Sequence, residues 1–334
     1  MELKKIRVGI IGTGFGYKVV FKSIKKNKNL KIIGFANKNK KIKLAKKFIY
    51  FKDWKTMISS DKIDAVFITS PPYTHKDIII HALSKNKHIF CEKPCTTSLK
   101  DINYVMKKFK KKKNLSFMVN YEFSEIQAFK FFRKIILEKK IKRKDISLVW
   151  NIKSKNKKNS WKMNSRLGGG ILFNFACHAL NYVENLFGKI IFIKSNIVTR
   201  KEFQSLNADL CLKKQLNLKM KMRIDYANKK FIPSHSVDLL VGENGYKLNS
   251  RAANLHDQFI IEKFIKGRRR KILFGKKSNK IDFRINPIYK NSMKFSNWIR
   301  SNKINKPNVY DAQRVHYLIS KIINSSKQKK MVKI

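Results

Sequence analysis

The 334-residue chain is poor in cysteine and in acidic residues, and it contains no long apolar run. Its four cysteines, Cys91, Cys95, Cys177 and Cys211, form no C-x-x-C pair and no disulfide framework, which predicts reduced thiols in a cytosol. No stretch approaches the roughly 20 apolar residues of a membrane span. The first apolar run, Ile6–Ile11, passes directly into a glycine loop and leaves no room for a signal peptide. We therefore expect a cytoplasmic protein without a membrane partner.

Several enzyme motifs are also missing from the sequence. His, Cys and Asp residues form no cluster with metal-ligand spacing, so we expect no metal site. Neither a nucleophile elbow nor a Walker loop is present. These absences leave the chemistry to the glycine loop and to the motifs that follow it.

The scarcity of acidic residues produces a large positive charge. Asp and Glu number 21 against 77 Lys and Arg, for a formal net charge of +56. Such a charge ordinarily suggests a nucleic-acid partner, but lysine far outnumbers arginine, whose bidentate fork serves specific recognition of phosphates and bases. The lysines are spread along the whole chain beside many Asn and Ile residues, as a genome rich in A and T would produce. We expect no specific nucleic-acid partner, and a polyanion-binding protein stays as an alternative that only the charge supports.

The first third of the chain alternates short apolar runs with helical spacing. Strands are predicted at residues 6–11, 30–36, 65–69, 88–91 and 115–119, and helices at about 16–26, 41–48, 74–84 and 98–109. Thr74 and Ser98 are expected to cap the last two helices. Strands that alternate with single helices predict right-handed βαβ units and a doubly wound parallel sheet. We assign residues 1–120 to a dinucleotide-binding Rossmann domain.

After about Asn120 the period of the pattern changes. A helix at about 126–138 precedes segments with strand periodicity, of which 215–225 is the clearest because apolar and polar residues alternate. A hairpin at 258–274, turning at residues 266–270, follows, and the end is helical at about 309–323. Residues 121–334 are therefore predicted to form an α+β domain with a large, mainly antiparallel sheet.

The glycine loop Gly12-Thr13-Gly14-Phe15-Gly16 joins a predicted strand to a predicted helix, the context of a dinucleotide-binding loop. Gly12 permits the tight turn, Gly14 lets the backbone approach a pyrophosphate, and the helix N-terminus offers free N–H groups. The strict motif has a small residue where this chain has Tyr17, so we expect Gly16 to supply the close helix–strand contact one residue early. A purely structural turn is the alternative.

No carboxylate stands at the end of the predicted second strand, where this kind of fold usually binds the ribose hydroxyls. Asn37 occupies that place and is followed by Lys38, Asn39 and Lys40. Asn37 can accept one hydrogen bond, nothing repels a 2′-phosphate, and either lysine can pair with one. The cofactor is therefore predicted to be NAD or NADP, with NADP tolerated, unless the abundance of Asn and Lys in this chain explains the pattern.

Three further motifs follow in order. They are Thr69-Ser70-Pro71-Pro72-Tyr73-Thr74-His75, Cys91-Glu92-Lys93-Pro94, and Gly168-Gly169-Gly170-Ile171-Leu172-Phe173-Asn174-Phe175-Ala176-Cys177-His178. With their spacing from residue 6 to about 188, the chain resembles the Gfo/Idh/MocA oxidoreductases, which include glucose–fructose oxidoreductase and inositol dehydrogenase. The resemblance implies hydride transfer between a nicotinamide cofactor and a secondary alcohol of a sugar, cyclitol or nucleotide-sugar.

The same resemblance implies roles for single residues. Lys93 would orient the substrate hydroxyl and relay its proton, His178 would accept the proton, and Asn174 would hold the substrate. Cofactor contacts are implied for Gly12, Thr13, Gly14, Phe15, Gly16, Asn37, Lys38, Thr69, Ser70, Pro71, His75, Glu92 and Lys93. Substrate contacts are implied for Tyr121, Trp161, Asn174 and His178, with Glu122 and Arg166 in the same region.

Each of these roles has a structural alternative. Glu92 and Lys93 can form a salt bridge, His75 can be a helix-start residue, and His178 and Trp161 can belong to a core. The family more often has Asp at the positions of Asn174 and Asn181, and Asn keeps the geometry without the charge. A second hypothesis is therefore a catalytically weakened, cofactor-binding member that acts as a regulator or partner protein. Residues 237–245 resemble the family's C-terminal strand-turn-strand. The resemblance also implies that residues 121–334 bind the substrate and serve oligomerisation, in a homodimer or homotetramer.

Overall fold

The computed structural model describes residues 4–37, 45–138, 145–153, 160–200, 203–213, 218–227, 232–241, 243–250, 259–274, 282 and 284–334. Packing divides the chain into two units. The first comprises Met1–Glu122, Arg166–Gly168 and Arg284–His316, and the second comprises Phe123–Ser165, Gly169–Phe283 and Tyr317–Ile334. Residues 284–316, which the sequence assigns to the C-terminal domain, thus pack with the first unit. Over the described ranges, no helix combines the length and the apolar character needed to cross a bilayer.

A parallel sheet forms the first unit. Its strands are β1 (Ile6–Ile11), β2 (Leu30–Ala36), β3 (Ile49–Phe51), β4 (Ala65–Ile68), β5 (His88–Glu92) and β6 (Phe117–Asn120). They lie in the order β3-β2-β1-β4-β5-β6, and each neighbouring pair is parallel. The doubly wound parallel sheet expected from the sequence is confirmed.

The helices of this sheet are α1 (Phe21–Ile24), α2 (Trp54–Ser59), α3 (His75–Ser84) and α4 (Leu99–Phe109). Ser98 caps α4 as expected, because its hydroxyl accepts from the Asp101 backbone N–H at 3.1 Å. The expectation for Thr74 is wrong: a 3₁₀ turn, Pro72–Thr74, precedes α3, and the Thr74 hydroxyl donates to the Pro71 carbonyl at 2.8 Å.

The helix predicted at 41–48 is also wrong over its described part. Residues 41–44 lie outside the described ranges, and residues 45–48 form a turn that leads into β3. Phe48 there packs edge-on against Phe21 and Phe35, with ring centroids 5.6 and 5.7 Å away. A tertiary aromatic contact thus overrides the local helical spacing.

Helix α7 (Ile285–Ser301) completes the core of the first unit. Its Phe295 packs edge-on against Phe67 of β4 and Phe90 of β5, both at 5.7 Å, while these two rings stack on each other at 4.6 Å. The parallel strands are therefore covered by apolar side chains from a segment near the other end of the chain. Helix α8 (Val309–Gln328) follows.

The second unit is built on a larger sheet. Its described strands are β7 (Asp145–Lys153), β8 (Ile190–Arg200), β9 (Phe203–Leu212), β10 (Leu218–Ala227), β11 (Ser234–Val241), β12 (Asn244–Ser250), β13 (Phe259–Ile265), β14 (Arg268–Phe274) and β15 (Val332–Lys333). They lie in the order β14-β13-β12-β11-β7-β10-β9-β8-β15, and of the described pairs β7–β10 is parallel and the others are antiparallel. The large, mainly antiparallel sheet is confirmed. The helices of this unit include α5 (Gln127–Glu138) and α6 (Cys177–Phe187).

Two local predictions for this sheet can be checked strand by strand. In β10, Leu218, Met220, Met222 and Ile224 are buried and alternate with exposed basic residues, as expected. In the β13–β14 hairpin the turn is shorter than predicted. Lys266 and Gly267 alone form it, both at positive φ, because such a two-residue turn matches the twist of the strands. The arginines at 268–270 are consequently exposed strand residues of β14.

Candidate active site

The glycine loop connects β1 to a helix whose first turn, Gly16–Val20, is π-helical and continues into α1. Gly12 has φ +100°, and a Cβ there would lie 2.7 Å from the Ser70 amide nitrogen and 2.8 Å from the Thr69 carbonyl carbon. Gly14 differs, because a Cβ there would meet no atom of the described residues within 4 Å. The fold requires Gly12, whereas Gly14 leaves open space in front of a helix N-terminus.

Gly16 makes the close helix–strand contact expected of it. A Cβ on Gly16 would overlap the Thr69 hydroxyl oxygen and lie 3.2 Å from Cγ2 of Ile10 in β1. Tyr17, in the place of the motif's small residue, stacks on Phe21 at 5.5 Å and meets the edge of Phe35 at 5.8 Å. The chain therefore accommodates the departure at residue 17 by moving the tight contact one position earlier.

The end of β2 is tied to this loop by Asn37. Its Nδ2 donates to the Thr13 hydroxyl oxygen, and its own carbonyl accepts from the Tyr50 hydroxyl at 2.7 Å. Lys38 and Lys40, the predicted partners of a 2′-phosphate, lie outside the described residues. The structure thus places the predicted ribose-binding side chain against the predicted phosphate-binding loop.

The loop after β4 contains Thr69, Ser70 and Pro71, and it is held from two sides. The Thr69 hydroxyl lies 2.8 Å from the Ile11 carbonyl and 2.9 Å from that of Gly12. His75 is buried, with Nε2 2.8 Å from the Ser70 carbonyl and Nδ1 3.0 Å from the Pro94 carbonyl. Burial lowers the pKa of His75, so the imidazole is neutral at neutral pH and its single N–H serves one carbonyl at a time. His75 therefore joins this loop to the one that carries Lys93.

Glu92 ends β5, and a cis peptide joins Lys93 to Pro94. Asn120 Nδ2 donates to Glu92 Oε1 at 2.6 Å. Burial raises the pKa of Glu92 to about 8, the charge of buried Glu122 adds to the effect, and the Asn120 hydrogen bond and two cations, Lys93 and Arg284, only partly oppose it. At neutral pH, Glu92 is therefore largely protonated and balances less of the Lys93 charge than a simple salt bridge would.

Arg284 is a residue that the sequence analysis missed. It stands at the N-cap of α7, and its guanidinium carbon lies 4.9 Å from the centroid of the Phe15 ring in the glycine loop. A cation is unfavourable at a helix N-terminus. The contact with Phe15, and not the helix, therefore accounts for the position of Arg284. No local motif marks Arg284, because helix α7, which packs with the first unit from a distant part of the chain, brings it beside the loop.

In the second unit a glycine run seats the helix that carries the predicted catalytic histidine. Gly170 has φ +70°, a Cβ on Gly169 would overlap the Trp161 carbonyl oxygen, and the Ile171 N–H donates to Gln204 Oε1 at 2.7 Å. The first turn of this helix, Leu172–Ala176, is π-helical and contains half-buried Asn174. Wide turns of this kind occur often at functional sites.

His178 lies in the first turn of α6 and is 4% exposed. Its ring is 4.9 Å from that of Phe123, which also stacks on Tyr182 one helical turn later at 5.5 Å. Burial raises the pKa of Tyr182, so its hydroxyl stays protonated, and it lies within hydrogen-bond distance of His235 Nε2, at 2.7 Å. His235 in turn stacks on Trp150 at 4.1 Å. This cluster of aromatic side chains beside His178 was not predicted from the sequence, because it joins residues of α6, β7 and β11.

The remaining predicted residues are divided between the units. Tyr121 is buried in the first unit directly after β6. Trp161 is half-buried in a 3₁₀ turn of the second unit, and Arg166 is exposed. Over the described residues, no three His, Cys, Asp or Glu side chains are arranged to hold a metal ion.

A family described as "Oxidoreductase family, NAD-binding Rossmann fold" matches residues 6–121. Among curated proteins, 2,7-anhydro-N-acetylneuraminate hydratase of Escherichia coli (strain K12) is 28% identical over 195 residues, which cover 55% of this chain and 50% of that protein. Levoglucosan dehydrogenase of Pseudarthrobacter phenanthrenivorans is 27% identical over 190 residues, which cover 54% and 48%. The chain therefore spans about half the length of these curated relatives.

The fold is shared more widely than the sequence. A solved structure of levoglucosan dehydrogenase in complex with NADH and L-sorbose matches with a TM-score of 0.81 over 99% of both chains, at 18% sequence identity. At 18% sequence identity, this match shows that the two proteins share a fold and nothing more. The sequence match to the Gfo/Idh/MocA oxidoreductase family thus lies in the Rossmann domain, at residues 6–121.

Proposed function

We propose that the protein is an NAD(P)-dependent dehydrogenase that transfers a hydride between nicotinamide and a secondary alcohol of a sugar, cyclitol or nucleotide-sugar. The open space at Gly14, in front of a helix N-terminus, is the observation that carries the proposal. Helix N-termini with free N–H groups bind phosphates, and the second glycine of such a loop lets the backbone reach the pyrophosphate. Levoglucosan dehydrogenase and glucose-6-phosphate 3-dehydrogenase, both named for sugar oxidation, support the substrate class.

The residues of the first unit fit a dinucleotide. Residues 12–16 would hold the pyrophosphate, and Asn37 at the end of β2 would meet the adenosine ribose. Nothing among the described residues at this end of β2 puts a carboxylate against a 2′-phosphate, so we propose that NADP is accepted as well as NAD. When bound, the cofactor supplies the nicotinamide ring that takes or returns the hydride.

The protein's own side chains would manage the proton. As the hydride leaves the carbinol carbon, the hydroxyl releases one proton and a carbonyl forms, so a positioned base is required. We assign Lys93 to orient the hydroxyl and relay this proton, His178 to accept it, and Asn174 to hold the substrate. His75 fixes the Lys93 loop, and Phe123 packs against the His178 ring, so both groups are held by their surroundings.

The test is a panel of sugars, cyclitols and nucleotide-sugars, offered to purified protein loaded with NAD⁺ or NADP⁺. Nicotinamide absorbance reports net oxidation. Product analysis by NMR is added, because a hydratase reaction, like that of one relative, changes no net redox state. Lys93→Met and His178→Ala should each lower kcat about 100-fold or more. His178→Ala should leave the Kd for NADH unchanged, and the exposed Lys100→Met should leave both kcat and Kd unchanged. Silence on every substrate, with NADH bound, would count against a dehydrogenase.

Asn174 motivates the second candidate, a cofactor-binding regulator or partner protein. Asn174→Asp restores the charge that family members more often carry there. A gain in kcat would support an enzyme with a weakened site. Tight NADH binding with no turnover before or after the change would support the regulator. We also propose a homodimer or homotetramer, which light scattering on the purified protein would test.

A further inference from the structure

Helix α7 runs against the direction of the parallel strands that it covers. In its last turn, the Arg300 guanidinium donates from Nη2 to the carbonyl of Lys4 at 3.5 Å, just before β1 begins. Nearer its start, Asn291 donates from Nδ2 to Oδ1 of Asn120, the last residue of β6, at 3.0 Å. The C-terminus of α7 therefore lies at the amino edge of the sheet, and its N-terminus points to the carboxyl edge.

The length of α7 fits this course. Its 17 residues rise about 25 Å at 1.5 Å per residue, and the six residues of β1 extend about 20 Å. The first residues of α7 therefore reach the carboxyl edge of the sheet, where β1 passes into the glycine loop and β5 ends at Glu92. Open α/β sheets bind their ligands at this edge.

Arg284 stands at the N-cap of α7, and its guanidinium carbon is 4.9 Å from the centroid of the Phe15 ring. Both residues belong to the first unit, and both are half-buried. The N–H donors of an arginine lie in the plane of its guanidinium, so contact with an aromatic ring does not use them. The ring of Phe15 thus holds a five-donor cation beside the glycine loop.

Folding alone gains little from a cation at this place. The positive end of the helix dipole disfavours Arg284, and the attraction to the Phe15 ring is of similar size and opposite sign. The first turn of α7 contains no acidic residue. An anion at this point would change the balance, because phosphate oxygens accept charge-assisted hydrogen bonds from a guanidinium.

The glycine loop has no countercharge of its own for a phosphate group. Residues 12–17 contain no basic residue, so the loop offers a diphosphate only backbone N–H groups. An arginine binds phosphate oxygens through two parallel hydrogen bonds, a geometry that lysine does not reproduce. Arg284, held against the ring of Phe15, supplies such a fork at the same loop.

We propose that Arg284 is a cofactor-binding residue, whose guanidinium makes paired hydrogen bonds to the diphosphate of a dinucleotide on the glycine loop. This inference rests on the function proposed above, since it needs a dinucleotide at residues 12–16. The structural alternative is a countercharge for Glu92: burial raises the pKa of that carboxyl, and the charge of Arg284 opposes the rise. A countercharge predicts a loss of stability on substitution and an unchanged affinity for the cofactor.

Fluorescence titration of NADH with wild type, Arg284→Met and Arg300→Met is the test. Methionine keeps an unbranched side chain against Phe15 and removes the charge and the donors, so the Kd for NADH should rise about tenfold or more. Arg300→Met is the matched control, because Arg300 is an exposed arginine at the other end of the same helix. Its Kd for NADH should equal that of the wild type. An equal Kd in Arg284→Met would overturn the proposal.

ADP-ribose locates the contact on the cofactor, because it contains the diphosphate and lacks the nicotinamide ring. Arg284→Met should raise the Kd for ADP-ribose by about the same factor as the Kd for NADH. The wild-type Kd for ADP-ribose should also depend more steeply on salt than that of the variant, since the variant lacks one charge pair. An unchanged Kd for ADP-ribose beside a raised Kd for NADH would place Arg284 at the nicotinamide end and overturn the pairing with the diphosphate.

Arg284→Lys keeps the proposal testable if Arg284→Met does not fold. It retains the positive charge that faces Glu92, so the free energy of unfolding in guanidinium should stay close to the wild-type value. The Kd for NADH should still rise about threefold or more, because lysine lacks the planar fork. A wild-type Kd in Arg284→Lys would show that no paired hydrogen bonds are made, and would overturn the proposal.

Turnover separates this inference from the proposed function. If the wild type binds NADH and turns over no sugar, the proposed dehydrogenase fails, and the Kd values of the variants still decide the role of Arg284. If sugars are turned over and both Arg284 variants bind NADH and ADP-ribose like the wild type, only this inference fails. A wild type that binds neither NADH nor NADPH would overturn both.

Discussion

The chain enters a helix through a glycine-rich loop twice, at residues 12–16 and at residues 168–170, and both helices begin with a π-helical turn. In the second loop the chain itself requires each glycine. Gly168 and Gly170 have positive φ, and Gly169 leaves no room for a Cβ beside the Trp161 carbonyl. In the first loop Gly14 has neither reason, since its φ is ordinary and a Cβ there would meet no atom of the described residues. The comparison shows that packing and backbone conformation account for the glycines of the second loop, whereas nothing among the described residues requires a glycine at Gly14.

The largest expected loss of stability comes from Gly12→Ala. The left-handed φ of +100° and contacts of 2.7 and 2.8 Å with backbone atoms of the neighbouring loop both oppose a methyl group. Strain and overpacking together should cost about 3 kcal/mol. Guanidinium unfolding measures the loss, and a value below about 1 kcal/mol would show that the loop adapts.

A smaller loss is expected from Gly169→Ala in the second loop. The added methyl group would clash with the Trp161 carbonyl oxygen. Overpacking of this kind should lower the free energy of unfolding by about 2 kcal/mol. Because this glycine serves packing within the second unit, the Kd for NADH should not change. The contrast between the two loops would be contradicted if Gly169→Ala weakened NADH binding and left the free energy of unfolding unchanged.

Buried parallel strands were the part of the fold that the sequence predicted well. Continuous apolar runs such as β1 and β4 are typical of strands covered on both faces. Strand β3 and helix α2 were missed because they are short and have weak periodicity. What secures the helix α2 is Asp53, whose carboxylate caps the Thr56 N–H at 2.8 Å.

The site was predictable only where its residues stand in motifs. Lys93 and His178 were assigned from motifs that resemble a known family, and the glycines from a strand-loop-helix context; their roles stay predictions. Arg284 beside Phe15 and His235 behind Tyr182 were not found, because packing between distant parts of the chain brings them there.

Gly14→Ala should have the smallest effect on stability and the most specific effect on binding. The methyl group would enter open space, so the free energy of unfolding should change by less than about 1 kcal/mol. If a pyrophosphate approaches the backbone there, the same methyl group should raise the Kd for NADH about tenfold or more, which is about 1.4 kcal/mol of binding energy. Fluorescence titration of NADH with Gly169→Ala as the contrasting variant measures this. An unchanged Kd for NADH in Gly14→Ala would contradict a pyrophosphate at this loop. The first loop would then be, like the second, a turn into a helix that serves only the fold.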